Sequence, residues 1–149
     1  MQGDKKTRAF VLIRKINSKY LIMERQMIKK VLIVDDSKIV LEKALEALSC
    51  RGYEVFTAPS ADAADVIIYS SARPDIIILD VMMPLLDGDK KAGILKADES
   101  TKEIPILLMS SKPEEELAVL ASESGSDGYI RKPFTCNEMV LKIESALHP

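Results

Sequence analysis

The sequence has only two cysteines, Cys50 and Cys136, and one histidine, His148, the second-last of 149 residues. Two cysteines fit neither a disulfide framework nor a zinc site, which predicts a reducing, cytoplasmic location. A histidine so close to the end excludes chemistry built around a central imidazole. No apolar run approaches the roughly 20 residues of a membrane-spanning helix, and the run at 9–13 is too short for a signal-peptide core. These shortages exclude a disulfide-stapled or membrane-spanning protein.

The residues that are present are typical of one globular domain. Apolar residues make up 47% of the chain and charged residues 30%, with a formal net charge of −2, all ordinary for a soluble protein. A chain of this length can bury roughly two-thirds of its unfolded surface in a single core.

The charge is unevenly distributed. Residues 1–26 contain seven basic and two acidic residues, a net charge of +5, which leaves −7 for the remainder. Met27 opens a run that suits the start of a folded unit, so we predict a basic N-terminal extension over residues 1–26 and one domain over 27–149. An upstream start or a docking arm would explain the extension. A nucleic-acid-binding arm is disfavoured, because glycine and aromatic residues are not interleaved with the basic ones.

The structure of the extension is left open by its sequence. Apolar residues recur at helical spacing at Leu12, Ile16, Tyr20, Met23 and Met27. Two short apolar runs, 10–13 and 20–23, are separated by Asn17-Ser18, which is equally compatible with a hairpin.

Short apolar runs alternate with amphipathic stretches after residue 29. The runs at 31–34, 76–79 and 104–109 are apolar on both faces, as parallel strands covered by helices on both sides are. The runs at 53–57 and 128–131 are shorter and predict weaker strands. A helix signature follows each of the five. This order predicts an α/β fold with a doubly wound, five-stranded parallel sheet and right-handed crossovers.

Capping residues mark the predicted helix starts. Ser37 precedes the helix that follows the first strand. Ser111 and Glu114 are spaced as a capping box, and Thr135 and Glu138 repeat that spacing before the last helix.

Polar side chains gather at the carboxyl ends of the predicted strands, where such sheets bind ligands. Asp35 and Asp36 follow the first strand, Asp80 the third, Ser110 the fourth and Lys132 the fifth. A helix N-cap would explain one aspartate but not three. Three close carboxylates repel one another by a few kcal/mol at an effective dielectric near 20. A hard divalent cation removes that repulsion, so the pattern predicts a Mg²⁺ site.

Residues 29–149 resemble the receiver domain of two-component response regulators. Four pieces in order carry the resemblance: Val-Leu-Ile-Val-Asp-Asp-Ser at 31–37, Asp-Val-Met-Met-Pro-Leu-Leu-Asp-Gly at 80–88, Met-Ser-Ser at 109–111 and Gly-Ser-Asp-Gly-Tyr-Ile-Arg-Lys-Pro-Phe at 125–134. The resemblance implies a flavodoxin-like (βα)5 receiver fold with a short N-terminal extension.

The resemblance also implies the parts of a phosphorylation site. Asp80 matches the phosphoacceptor, and Asp35, Asp36, Asp80 and the backbone carbonyl of Met82 match the ligands of Mg²⁺. Asp80 and Lys132 match the residues that promote the transfer.

Two further roles are carried over in the same way. Ser110 and Lys132 match the residues that contact the phosphoryl oxygens, and Ser110 and Tyr129 match the pair that switches on activation. The Lys132–Pro133 bond is expected to be cis, and Gly88 either allows a close backbone approach after the acceptor loop or simply starts a helix.

The expected function is therefore a phosphorylation-dependent signalling switch. Its phosphoryl donor would be a histidine kinase or histidine phosphotransfer protein, and its only catalysis would be Mg²⁺-dependent self-phosphorylation and autodephosphorylation. Because the 149 residues include no DNA-binding domain, we expect output through a downstream protein bound at the face formed by residues 113–147. No direct DNA binding and no membrane contact are expected, and the chain would be a monomer or a phosphorylation-dependent dimer.

Two other hypotheses compete with the phosphorylation-dependent switch. A receiver-shaped scaffold that is never phosphorylated would not need five chemically competent site residues. A phosphatase with an aspartyl-phosphate intermediate would need Asp-x-Asp after the first strand, where this chain has Asp35-Asp36-Ser37.

Overall fold

The structure, a computed structural model, describes residues 2–149, with side chains described for residues 6–9, 11–19 and 28–149. Within them lie six helices and five strands: α1 Gln2–Met27, β1 Lys30–Val34, α2 Lys38–Ser49, β2 Glu54–Ala58, α3 Ala61–Ile68, β3 Ile76–Asp80, α4 Gly88–Ala97, β4 Ile106–Ser110, α5 Glu114–Ser124, β5 Gly128–Arg131 and α6 Cys136–Leu147. The five predicted β-α units are all present.

The five strands form one parallel sheet in the order β2-β1-β3-β4-β5. The first crossover takes the chain to one side of β1, and the later crossovers build the sheet on its other side. This is the flavodoxin-like order, whose switch point lies between β1 and β3. The predicted fold class is confirmed.

The core has two layers, one on each face of the sheet. Leu32 and Val34 of β1 face a cluster that includes residues of α3, α4 and α5. Val31 and Ile33 face a second cluster with residues of α2 and α6. Since successive strand residues point to opposite faces, a strand buried on both sides must be apolar throughout. This explains why β1, β3 and β4 read as continuous apolar runs.

The predicted helix caps are partly confirmed. The Ser37 hydroxyl accepts the Val40 N–H at the start of α2, and Thr135 and Glu138 form the predicted capping box of α6. The capping box predicted at Ser111 and Glu114 is wrong, because α5 starts after Pro113, which has no capping side chain.

The N-terminal extension forms helix α1, which decides between the helix and the hairpin that its sequence left open. The extensive packing contacts of the described residues lie within the sheet, between the sheet and α2–α6, and among those five helices, and α1 takes part in none of them. No helix among the described residues is both long enough and apolar enough to cross a membrane.

We expect a chain that lacks residues 1–26 to fold cooperatively, because the sheet and its five helices bury their core without α1. The free energy of unfolding should change by about 0.5 kcal/mol or less, as for a surface substitution. Thermal unfolding of the full and shortened chains at equal concentration tests this. Loss of a cooperative transition in the shortened chain would make α1 an integral part of the fold.

Candidate functional site

The site lies at the carboxyl edge of the sheet, beside the switch point between β1 and β3. Asp35 and Asp36 follow β1, and Asp80 is the last residue of β3, the strand next to it. Ser110 ends β4, and Lys132 follows β5. Because the strands are parallel and adjacent, residues far apart in the sequence meet at one edge.

Three carboxylates meet at this edge. One carboxylate oxygen from each of Asp35, Asp36 and Asp80 lies within 4.8 Å of the other two. Asp35 and Asp80 are buried, whereas Asp36 is exposed. The cluster therefore has one side open to solvent, with an all-oxygen donor set of the kind that hard divalent cations prefer.

Lys132 joins the two buried carboxylates. Its Nζ donates to Asp35 Oδ2 at 2.6 Å and to Asp80 Oδ1 at 3.2 Å. The Lys132–Pro133 bond is cis, as the resemblance implied. One ammonium between two carboxylates leaves the cluster of Asp35, Asp36, Asp80 and Lys132 with a net negative charge, which a bound cation would offset.

The backbone around the cluster holds the acid groups in place. The Ser37 N–H donates to Asp35 Oδ1 at 2.8 Å, so this carboxylate is held from both sides. Gly88, at the start of α4, donates its N–H to the Val81 carbonyl. A Cβ at Gly88 would overlap the carbonyl oxygen and carbon of Asp80. The geometry therefore favours the interpretation that Gly88 allows a close backbone approach, rather than the interpretation that it simply starts a helix.

The electrostatics of the cluster shift the pKa of both Asp80 and Lys132. Burial raises the pKa of Asp80 and repulsion from Asp35 raises it further, while attraction to Lys132 opposes both without cancelling them. Burial lowers the pKa of Lys132, but its hydrogen bond to Asp35 and the attraction of both carboxylates outweigh burial and hold it above the ordinary value. Ionised Asp80 is thus under repulsive stress that a cation would relieve.

Ser110 lies buried at the end of β4. Its Oγ accepts the backbone N–H of Lys112 at 3.1 Å. A serine hydroxyl can still donate its own hydrogen, so Ser110 keeps a donor for a ligand at the cluster.

Tyr129 lies on β5 and bonds to α5. Its hydroxyl donates to Glu114 Oε1 at 3.0 Å, and the Lys142 Nζ lies 4.8 Å from its ring centroid. The hydrogen bond to Glu114, together with partial burial and the negative charge of Glu114, raises the pKa of Tyr129. Tyr129 pairs with Leu108 in the parallel register, two residues before Ser110, so Tyr129 and Ser110 share a face of the sheet.

A groove of about 500 Å³ lies beside Tyr129, between α5 and α6. Glu114, Arg131, Glu138 and Lys142 contribute charges of both signs to its lining. The groove belongs to the face at 113–147 that the sequence analysis assigned to a downstream protein.

The structure brings together Asp35, Asp36, Asp80 and Lys132, as predicted, with Ser110 on the strand next to Asp80. The Met82 side chain is 63% exposed and takes no part in the cluster; its predicted contribution is the backbone carbonyl alone. Sequence reasoning missed the pairing of Glu114 with Tyr129. The acidic first turn of α5 was its only signal, and that was taken for part of a capping box.

A family model described as the response regulator receiver domain matches residues 31–144. The phosphate regulon transcriptional regulatory protein PhoB of Pseudomonas aeruginosa is 39% identical over 119 residues, which cover 80% of this chain and 52% of PhoB. The chain thus spans about half the length of this curated relative.

Solved structures agree with the family match. A putative response regulator from Chloroflexus aurantiacus is 32% identical, with a TM-score of 0.77 over 82% of this chain and 99% of that one. The chemotaxis protein CheY4 of Vibrio cholerae is 29% identical, with a TM-score of 0.74 over 80% of this chain and 98% of CheY4.

Proposed function

Because the chain belongs to the response regulator receiver domain family, a family of signalling domains, we propose that it is a phosphorylation-dependent switch that accepts a phosphoryl group on Asp80. The observation that carries the proposal is the meeting of three carboxylates and Lys132 at the sheet edge. A scaffold without chemistry would have no use for three mutually repelling carboxylates, two of them buried, because that arrangement is costly unless a ligand completes it.

The cofactor we propose is Mg²⁺. Asp35, Asp36 and Asp80 would hold it, together with the backbone carbonyl of Met82 that the family resemblance implies. The donor set is all oxygen and one side is open, which suits an ion that keeps several waters and also binds phosphoryl oxygens. When bound, the ion supplies positive charge where the incoming phosphoryl group carries negative charge.

The proposed reaction is a transfer between two nucleophiles. An Asp80 carboxylate oxygen attacks the phosphorus of a donor phosphohistidine, the O–P bond forms, and the P–N bond breaks with its electron pair left on the donor imidazole. Lys132, already 3.2 Å from Asp80 Oδ1, would follow the phosphoryl group and donate to one of its oxygens. Ser110 would donate to another. Positioning and charge stabilisation are the main contributions that a protein makes to this chemistry.

Labelling with a small acyl phosphate tests the proposal without a partner. We expect one phosphoryl group per chain in the presence of Mg²⁺ and none after chelation, because the ion offsets the charge repulsion at the site. Asp80→Asn should not be labelled, whereas Asp62→Asn, which removes an exposed carboxylate on α3, should be labelled like the wild type. Intact mass spectrometry reads all four results. Labelling of Asp80→Asn, or equal labelling without divalent metal, would contradict the proposed site.

The donor we propose is a histidine kinase or histidine phosphotransfer protein. Its phosphohistidine must reach Asp80, so it has to cover the sheet edge. Exposed apolar side chains are available there: Ile39 in the first turn of α2 is 78% exposed, and Met82 and Leu85 follow Asp80 in the loop before α4. They give a partner apolar contact beside a charged centre. The output we propose is contact with a downstream protein at the face formed by residues 113–147. The transcriptional role in the printed name of PhoB belongs to PhoB and is not carried over to this chain.

Ser110 and Tyr129 are the proposed switch. An aspartyl phosphate brings nearly two negative charges and new acceptor oxygens to the sheet edge. If the Ser110 hydroxyl turns to a phosphoryl oxygen, it leaves space on the face that it shares with Tyr129. The Tyr129 ring would then move inward and give up its bond to Glu114. This would change the surface beside the groove between α5 and α6.

Ser110→Ala should still accept the phosphoryl group at Asp80 but transmit it poorly, because the alanine cannot bond a phosphoryl oxygen. NMR chemical shifts of residues 113–147, with and without a phosphoryl mimic, should change strongly in the wild type and weakly in this variant. Ser111→Ala is the matched control, since Ser111 is the exposed neighbour. An equal response in all three proteins would remove Ser110 from the mechanism.

A further inference from the structure

Helix α1 carries a stripe of exposed apolar side chains that no other element of the described fold packs against extensively. Ile13 and Ile16 are 56% and 44% exposed, and Leu12 beside them is 60% exposed. Helices in water gain most of their stability from packing an apolar face. Since α1 joins none of the extensive contacts of the sheet and its helices, this stripe needs another cover.

Between residues 9 and 27 the stripe follows a seven-residue repeat. With Ile13 at position a and Ile16 at position d, the sequence places an apolar residue at six successive a and d positions: Ala9, Ile13, Ile16, Tyr20, Met23 and Met27. The helix spans all six. A 3.5-residue hydrophobic spacing fits a helix wound around a second helix rather than one lying on a sheet.

The charges of α1 fit the same arrangement, apart from Lys6, which falls at the a position before the repeat begins. Three basic residues, Arg8, Arg14 and Lys15, fall at b and c positions, on the side away from the stripe. The sequence places Lys19 at g and Glu24 at the following e position. In a parallel pair of helices, g of one copy faces the following e of the other, so these residues are complementary between two identical chains.

We propose that α1 pairs with α1 of a second copy of this chain as a parallel two-stranded coiled coil. The repeat is complementary to itself, and no partner other than a second copy is needed to cover it. In the parallel pair both receiver domains lie at the same end, whereas an antiparallel pair would separate them by the roughly 39 Å length of a 26-residue helix. The pairing does not involve Asp80, so the dimer forms without phosphorylation. It does not rest on the proposed phosphoryl transfer.

Sedimentation of the full, unphosphorylated chain tests the pairing. We expect twice the mass of one chain at high concentration and dissociation on dilution. Ile16→Asp places a charge in the seam and should weaken association at least about tenfold. Val11→Asp is the matched control, because Val11 lies at f, is 50% exposed and undergoes the same charge change; its association should stay within about twofold of the wild type. A monomeric wild type, or equal behaviour of the two variants, would overturn the proposal.

Disulfide cross-linking tests the orientation. In a chain with Cys50 and Cys136 replaced by Ser, Ala9→Cys should oxidise to a cross-linked dimer, because position 9 meets its own copy only in a parallel pair. Lys15→Cys, on the outer side, should not. Cross-linking at both positions, or at neither, would contradict the parallel coiled coil. Dimerisation that persists after removal of residues 1–26 would assign it to the receiver domain instead.

Discussion

Asp80→Asn is expected to stabilise the metal-free protein against unfolding and, in the same change, to abolish its response to Mg²⁺. Burial and repulsion from Asp35 raise the pKa of Asp80 in the folded chain. The folded state then binds this proton more tightly than the unfolded state, so stability falls as the pH rises through the raised pKa. At a pH above the raised pKa the wild type carries that whole penalty. Removing the charge should add on the order of 1 kcal/mol, after the lost attraction to Lys132 is subtracted.

Chemical denaturation with and without Mg²⁺ measures both effects. Mg²⁺ should stabilise the wild type by mass action and leave Asp80→Asn unchanged. The stability difference between the two proteins in chelator should shrink as the pH is lowered through the pKa of Asp80. A variant less stable than the wild type in chelator at neutral pH, or one that still responds to Mg²⁺, would contradict the electrostatic account of the site.

Gly88→Ala is expected to destabilise the fold by about 3 kcal/mol or more, a large value for overpacking. The new Cβ would overlap the backbone carbonyl of Asp80, and backbone atoms at a strand end cannot move aside as a flexible side chain can. Because that carbonyl belongs to the acceptor residue, the distortion should also reduce labelling by a small acyl phosphate.

Gly93→Ala is the matched control for this prediction. Gly93 lies inside the same helix, and a Cβ there would meet nothing within 4 Å. Alanine is the better helix former, so Gly93→Ala should stabilise the protein by up to about 1 kcal/mol. If both variants unfold like the wild type, Gly88 is an ordinary helix-start glycine.

The strands could be predicted closely because burial on both faces leaves a direct trace in the sequence. The runs at 31–34 and 76–79 differ from β1 and β3 by one residue at one end. The residues at the carboxyl edge of the sheet could be predicted in the same way, since the last residues of parallel strands lie at one edge. The identity of the cluster Asp35, Asp36, Asp80 and Lys132 was therefore within reach of the sequence.

Contacts that depend on tertiary packing could not be predicted from the sequence. Lys91 is a buried lysine whose Nζ lies 2.5 Å from Asp65 Oδ1, on a different helix. Neither residue differs in the sequence from an ordinary charge on a helix surface. The predicted capping box at Ser111 and Glu114 was wrong because tertiary contacts compete with it. The Ser110 hydroxyl accepts the Lys112 N–H, and Glu114 accepts a hydrogen bond from Tyr129. The sequence did not decide the structure of residues 1–26, because the apolar spacing indicates a helix whereas the Asn17-Ser18 break indicates a hairpin. The backbone of the structure shows that the helix is correct.

The proposed switch depends on Asp80 being the residue that receives the phosphoryl group. The most direct test is to react the chain with a small acyl phosphate and Mg²⁺, reduce it with borohydride, and sequence its peptides by tandem mass spectrometry. Borohydride converts an aspartyl phosphate into homoserine, so the acceptor is marked permanently. We expect homoserine at residue 80 and at no other aspartate position. Homoserine at Asp35 or Asp36, or its absence from a chain that has gained a phosphoryl group, would contradict the assignment of Asp80.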